Sequence, residues 1–128
     1  MVAVSEQTVA VYALDDDSSF LKSTRRLLDS AGYKVETFTD PMAFLEQAAM
    51  RRPEVAVIDI RMPEMNGLEV QTRLRTVSPS TRVIILTSKN DPLVRMLAMN
   101  AGASAFFIKG VENQELLSGI KVAADSRN

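Results

Sequence analysis

Hydrophobic residues fall into two alternating patterns along the chain. Short, nearly continuous apolar runs rich in β-branched residues are typical of strands that are covered on both faces. Between them lie longer segments whose apolar residues recur at helical spacing. The predicted strands are Val9–Leu14, Val35–Phe38, Val55–Ile60, Val83–Thr87 and Ala105–Ile108.

Several residues mark where the intervening helices begin and end. The dipeptide Asp-Pro, at 40–41 and 91–92, supplies a capping side chain followed by proline in the first helical position. Gly32 is a natural stop for a first helix that starts near Phe20. The remaining helices are predicted after Asp40 and at Gly67–Val77, Leu93–Ala101 and Glu112–Ala124.

These elements form five β–α repeats joined by short loops. Such repeats predict an α/β fold, in which one parallel sheet carries helices on both faces. We expect a single domain over residues 1–128, with a core at about 9–124. Ligands of such sheets bind at the carboxyl ends of the strands.

The composition narrows the possible chemistry. The chain has no cysteine and no histidine, which removes thiol nucleophiles and imidazole bases or metal ligands. The available carboxylate oxygens suit hard cations such as Mg²⁺. A net charge of −1 gives no sign of direct nucleic-acid binding. Because we find neither a membrane-spanning apolar run nor a signal peptide, we expect no membrane association and a cytoplasmic location.

Polar side chains follow the predicted strands at one edge of the sheet. Three acids at 15–17 follow the first strand, Asp59 closes the third, Thr87 ends the fourth and Lys109 follows the fifth. One acid after a strand is commonly a turn former or a helix cap, and we expect Asp17 or its neighbour Ser18 to cap the first helix. The joint pattern predicts a functional site.

A divalent cation is the physical explanation for the clustered acids. Asp15, Asp16 and Asp59 would repel one another unless a cation lay among them. Mg²⁺ is commonly held by one or two carboxylates, several waters and a phosphate. A flavin-phosphate site is disfavoured, because three acids after the first strand would repel phosphate.

The motifs "LDDD", "VIDIRMPEMNGLEV", "VIILTS", "NAGASAFFIKG" and "QELLSGI" together resemble the receiver domain of bacterial two-component response regulators. The resemblance extends roughly from Val9 to Ala123, and "DDDSSFLKSTRRLLDSAGYKVETF" is similar to the nitrogen-fixation-type subgroup, which usually carries a LuxR-like DNA-binding output. It implies a flavodoxin-like, doubly wound fold with five parallel strands in the order 2-1-3-4-5. It also implies a phosphoacceptor that is switched by a sensor histidine kinase and controls an output such as transcription.

The resemblance assigns roles to the predicted site residues. Asp59 matches the phosphoacceptor and a metal ligand, and Asp16 matches a direct ligand of Mg²⁺ (or Mn²⁺). Asp15 would contact the metal through water, and the backbone carbonyl of Arg61 would complete the site. Such a protein is not an enzyme acting on other molecules, although it catalyses its own phosphorylation and slow dephosphorylation.

Further residues match the phosphoryl-binding and switching parts of the family. Thr87 and Lys109 would contact the phosphoryl group, and Lys109 would pair with Asp59 before transfer. Phe106 matches the switch aromatic, which would turn inward when Thr87 moves. The switch would change the face formed by helix 4, strand 5 and helix 5.

That face is also the expected partner surface, with a homodimer as the candidate assembly. The segment "PLVRMLAMNAG" holds more apolar side chains than one helical stripe can bury. The partner surface is therefore predicted at Leu93, Val94, Leu97 and Phe106. The alternative is a thickly buried helix.

Three features depart from the family pattern. Gly110 replaces the usual proline after the lysine, so we predict a trans Lys109–Gly110 bond and a more mobile loop. Phenylalanine replaces tyrosine at position 106, so switching must act through packing. The flanking residues Arg61, Ser88 and Lys89 occupy rate-modulating positions, and two cations there predict a phosphorylated lifetime of minutes or longer.

Two other functions remain possible from the sequence. A pseudo-receiver would keep the fold as a protein-binding module without phosphorylation, but such proteins usually lose an acid or the lysine. A haloacid-dehalogenase-like phosphatase would explain the acids at 15–17. It would leave Asp59 unexplained and lacks an acidic pair after Lys109.

Overall fold

In the computed structural model, which describes residues 8–126, five strands alternate with five helices. The termini of the predicted 1–128 domain, including the stretch on which a signal peptide would begin, lie outside the described residues. The strands are β1 (Ala10–Leu14), β2 (Lys34–Phe38), β3 (Val55–Ile58), β4 (Arg82–Thr87) and β5 (Ala105–Ile108). The helices are α1 (Ser18–Ser30), α2 (Pro41–Arg51), α3 (Gly67–Val77), α4 (Pro92–Asn100) and α5 (Asn113–Asp125).

All five strands are parallel and lie in the order β2-β1-β3-β4-β5, which confirms the predicted doubly wound sheet. Successive side chains of a strand point to opposite faces, so the sheet separates two apolar cores. On one face α1 and α5 pack through Leu21, Leu28, Leu116 and Ile120. On the other, α2, α3 and α4 pack through Phe44, Leu45, Ala48, Val70, Leu74 and Ala98.

The predicted helix caps form as hydrogen bonds. In the first turn of the helix that follows, the side chains of Asp17 and Asp91 each accept two backbone N–H groups and that of Asp40 accepts one. The capping choice left open between Asp17 and Ser18 therefore falls to Asp17. The prediction for β3 was two residues too long, because the chain leaves the sheet after Ile58 and Asp59 already belongs to the loop.

Helix α4 is held to the rest of the fold by few groups. Of its nine described residues only Ala98 is buried. The buried amide of Gln71, in α3, donates a hydrogen bond from Nε2 to the Ala98 carbonyl oxygen at 3.0 Å. Among residues 8–126, no helix combines the length and apolarity that crossing a membrane requires.

A close backbone contact joins α3 to the end of β3. Gly67, the first residue of α3, donates its N–H to the carbonyl oxygen of Ile60 at 2.9 Å. A Cβ atom at position 67 would overlap the Asp59 carbonyl oxygen and lie 2.8 Å from the Ile60 Cα. Glycine therefore allows the helix to start directly against the segment that carries Asp59.

Candidate functional site

Two buried acids lie side by side where β1 and β3 end. Leu14 is in register with Ile58, so Asp15 and Asp59 each follow a neighbouring strand. The Asp59 N–H donates to the Leu14 carbonyl oxygen at 3.0 Å. The two acids are only 3 % and 4 % exposed. This junction is the topological switch point, where the chain order reverses and where ligands of such sheets bind.

The structure brings the predicted acidic cluster together. Asp15, Asp16 and Asp59 each offer a carboxylate oxygen, and these oxygens all lie within 4.8 Å of one another. Asp16 is exposed, which leaves one side of the cluster open to solvent. Asp17 instead caps α1 and belongs to the helix.

Lys109 reaches this cluster from the far side of the sheet. It follows β5, and β4 and β3 lie between β5 and β1. Its Nζ lies 2.7 Å from Asp15 Oδ2 and 3.7 Å from Asp59 Oδ2. The expected pairing with Asp59 is therefore present as the longer contact, while the closer partner is Asp15.

Burial works against the charge of Asp15. Desolvation raises the pKa of this carboxyl above its usual value, and the neighbouring Asp59 adds to the rise. The hydrogen bonds from Lys109 and from the Asp17 backbone oppose it without cancelling it. Lys109 alone thus leaves the Asp15 carboxylate incompletely compensated, and a cation would favour its ionised form.

Two buried oxygen atoms add to the evidence for a bound group. Asp59 Oδ1 and Thr87 Oγ1 are buried and make no hydrogen bond to the described residues. Most buried polar atoms in proteins do have a partner. The cluster of three carboxylates offers oxygen ligands that suit a hard cation. The unpartnered Asp59 oxygen and Thr87 hydroxyl suit a phosphoryl group bound beside it.

The sequence model of the protein family described as "Response regulator receiver domain" matches residues 11–121 of the chain. The chain belongs to this family. It is 33 % identical over 120 residues to the response regulator protein TodT of Pseudomonas putida, and the match covers 94 % of this chain and 53 % of TodT. It is 35 % identical over 111 residues to the response regulator MprA of Mycobacterium leprae, covering 87 % and 49 %.

Solved structures agree with this membership. A CheY-like response regulator receiver domain protein from Methanospirillum hungatei JF-1 superposes with a TM-score of 0.89 at 28 % identity, covering 94 % of this chain and 97 % of that one. The receiver domain described here spans about half the length of the curated relatives it matches. Membership sets aside the phosphatase alternative. The nitrogen-fixation-type subgroup stays a prediction.

A cavity of about 240 Å³ adjoins Thr87. Two of the predicted rate-modulating residues, Arg61 and Lys89, line it, whereas Ser88 is exposed beside them. The other lining residues are Ile60, Asp91 and Val94. The cavity therefore connects the site to the first turn of α4.

The predicted partner face is only partly exposed. Leu93 and Leu97 are 58 % and 46 % exposed, and Val94 is half-buried, which rules out a thickly buried α4. Phe106, which the prediction also placed there, is 5 % exposed. Its ring packs in the core, with the Arg95 guanidinium carbon 5.4 Å from its centroid, so it is not part of the exposed surface.

Two further residues complete the geometry. The Lys109–Gly110 bond is trans, as predicted, because no cis bond occurs in the described residues. Gly110 has a φ of +100°, which glycine adopts readily. Phe20 packs against the core beneath α1, and its ring also lies against Lys109. Its spacing in the sequence indicates a core position, and nothing in the sequence indicates this contact.

Proposed function

We propose that this receiver domain accepts a phosphoryl group on Asp59 from the phosphohistidine of a sensor histidine kinase. The observation that carries the proposal is the buried Asp59 carboxylate, whose Oδ1 has no hydrogen-bond partner among the described residues. Lys109 Nζ lies 3.7 Å from Asp59 Oδ2, and Thr87, at the end of the neighbouring strand β4, has a buried hydroxyl without a hydrogen-bond partner among the described residues. Both are candidate donors to phosphoryl oxygens.

In the proposed step, an Asp59 carboxylate oxygen attacks phosphorus in line. The phosphorus–nitrogen bond breaks, and the imidazole nitrogen of the kinase keeps the electron pair. Asp59 then carries an acyl phosphate, to which the Lys109 ammonium and the Thr87 hydroxyl can donate hydrogen bonds. Asp16, Asp59, the Arg61 carbonyl and, through water, Asp15 would hold Mg²⁺ or Mn²⁺, which supplies positive charge to the phosphoryl oxygens.

The proposed output acts through α4, β5 and α5. Movement of Thr87 toward the phosphoryl group would alter the cavity that it shares with Val94 of α4. The exposed leucines of α4 would then change position and bind a partner, which could be a second copy of the chain. We further propose a cytoplasmic location and control of transcription, in line with the subgroup resemblance.

The test is the mass of the intact protein after incubation with acetyl phosphate and Mg²⁺. We expect one added phosphoryl group on the natural chain, and none on Asp59→Asn or without Mg²⁺. Asp29→Asn, which removes an exposed acid of α1 paired with Arg25, serves as the matched control and should still be phosphorylated. A folded natural chain that gains no mass would favour the pseudo-receiver alternative.

We expect the phosphorylated form to last for minutes or longer. Arg61 and Lys89 line the cavity beside Thr87 and would hinder an attacking water. Lys89→Ala should therefore shorten the lifetime, whereas Lys121→Ala, at an exposed lysine of α5, should not. The loss of phosphoryl mass with time after removal of the donor measures this, and a half-life of a few seconds in the natural chain would contradict it.

A further inference from the structure

Phe20 is an aromatic side chain at the site that the proposed function leaves unused. It lies in the first turn of α1, where Asp17 Oδ1 accepts the N–H groups of Ser19 and Phe20 at 3.0 and 3.1 Å. The cap thus fixes the start of the helix and the position of Phe20. The ring centroid lies 4.3 Å from Lys109 Nζ, well within the range of a cation–π contact.

The contact restrains the Lys109 side chain, which comes from a distant strand. Its side chain reaches past β4 and β3 and remains 19 % exposed. A flexible lysine loses rotamer freedom when its ammonium is held in one place. The ring of Phe20 gives the ammonium a third neighbour besides Asp15 and Asp59.

The structure is closely packed between Phe20 and the two buried carboxylates. Phe20, Asp15, Asp59, Leu21 and Thr24 adjoin a void of only about 10 Å³. A space of this size barely holds one water molecule. Asp15 and Asp59 are buried, so solvent weakens their attraction for the ammonium less than it would on an open surface.

We propose that Phe20 is a positioning residue, whose aromatic face holds the Lys109 ammonium between the two buried carboxylates. Its effect on phosphoryl transfer rests on the proposed function. When Asp59 accepts the phosphoryl group, the ammonium is already in place and needs no further ordering. A leucine would cover the same surface without attracting the cation.

The experiment varies the electron density of the ring and keeps its shape. Phe20 is replaced by mono-, di- and trifluorophenylalanine, and separately by leucine and tyrosine. The initial rate of phosphorylation by acetyl phosphate is measured in excess Mg²⁺. Phe107, half-buried on β5, receives the same fluorinated residues as the matched control. A second readout is the proton chemical shift of the Lys109 ε-methylene, which a nearby aromatic face moves upfield.

We expect the rate to fall stepwise with fluorination at Phe20 and by about fivefold in Phe20→Leu. Phe20→Tyr should keep the natural rate, and the Phe107 series should show no trend. The ε-methylene shift should be lost in Phe20→Leu and kept in Phe20→Tyr. Equal rates in all Phe20 variants, or an unchanged shift in Phe20→Leu, would overturn the inference. A natural chain that accepts no phosphoryl group would refute the proposed function, and the shift alone would then decide whether Phe20 positions Lys109.

Discussion

Replacing Gly67 with alanine is expected to destabilise the receiver domain by about 3 kcal/mol, at the upper end of the usual effect of overpacking. The added Cβ would overlap the Asp59 carbonyl oxygen and approach the Ile60 Cα. Both are backbone atoms, so no side-chain rotation can relieve the contact. Either α3 or the loop after β3 must move, and movement of that loop displaces Asp59, the proposed phosphoacceptor.

Urea denaturation of the metal-free protein measures this effect. Gly119→Ala is the matched control, because its Cβ would meet only the Phe107 ring, at 2.8 Å, and that half-buried side chain can shift. Alanine also favours the interior of α5 by about 1 kcal/mol over glycine. A Gly67→Ala protein that stays within about 0.5 kcal/mol of the natural chain would contradict the argument.

Mg²⁺ is expected to stabilise the folded domain by about 2.7 kcal/mol at a concentration one hundred times its dissociation constant. The reason is that Asp15, Asp16 and Asp59 form a cluster within 4.8 Å that only the folded chain assembles. The increase in unfolding free energy with Mg²⁺ measures the effect. Sodium chloride at equal ionic strength controls for screening. An equal increase in sodium chloride would contradict a specific site.

Substitutions and pH dependence test whether the stabilisation by Mg²⁺ arises at the acidic cluster. Asp16→Asn should remove most of the Mg²⁺ increment, whereas Asp29→Asn, an equal change of charge on α1, should retain it. Burial raises the pKa of Asp15 above its usual 3.8. Because the folded protein holds the Asp15 proton more tightly than the unfolded chain does, this proton stabilises the fold. The contribution is fully present below the pKa of Asp15 in the unfolded chain and is lost as the pH rises through its pKa in the folded protein. Mg²⁺ needs the ionised carboxylate, so its increment should grow over the same pH range.

Most of the architecture could be predicted from the sequence, because the relevant signals are local. Buried parallel strands are apolar along their whole length, and each Asp-Pro pair marks a helix start. The chain order then places all strand ends at one edge. The end of β3 was less predictable, because Ile60 is buried like a strand residue although the chain has already left the sheet at Asp59.

The details of the site depend on side-chain reach, which spacing does not specify. The sequence indicates that Lys109 approaches the acids, but not that Asp15 lies closer to it than Asp59 does. The sequence likewise predicts a core position for Phe20, and nothing in it indicates the contact with the Lys109 ammonium. Phe106 was included in the predicted partner face as the residue that matches the switch aromatic of the family. Its burial beneath Arg95 is a tertiary outcome.

The loose attachment of α4 makes this helix the element that we expect to move most easily when the site changes. Ala98 is the one buried residue of this helix, and the Gln71 amide is bonded to its carbonyl, so we expect the helix to separate from the sheet more easily than β1, β3 and β4 separate from one another. Such a segment opens locally at a fraction of the free energy of global unfolding. In the proposed function, a phosphoryl group on Asp59 would have to change only the relative populations of two arrangements of one short helix. The sheet would keep the same structure in both arrangements. Substitutions at the exposed side chains of α4 would then change the ratio of the two populations without moving the acids.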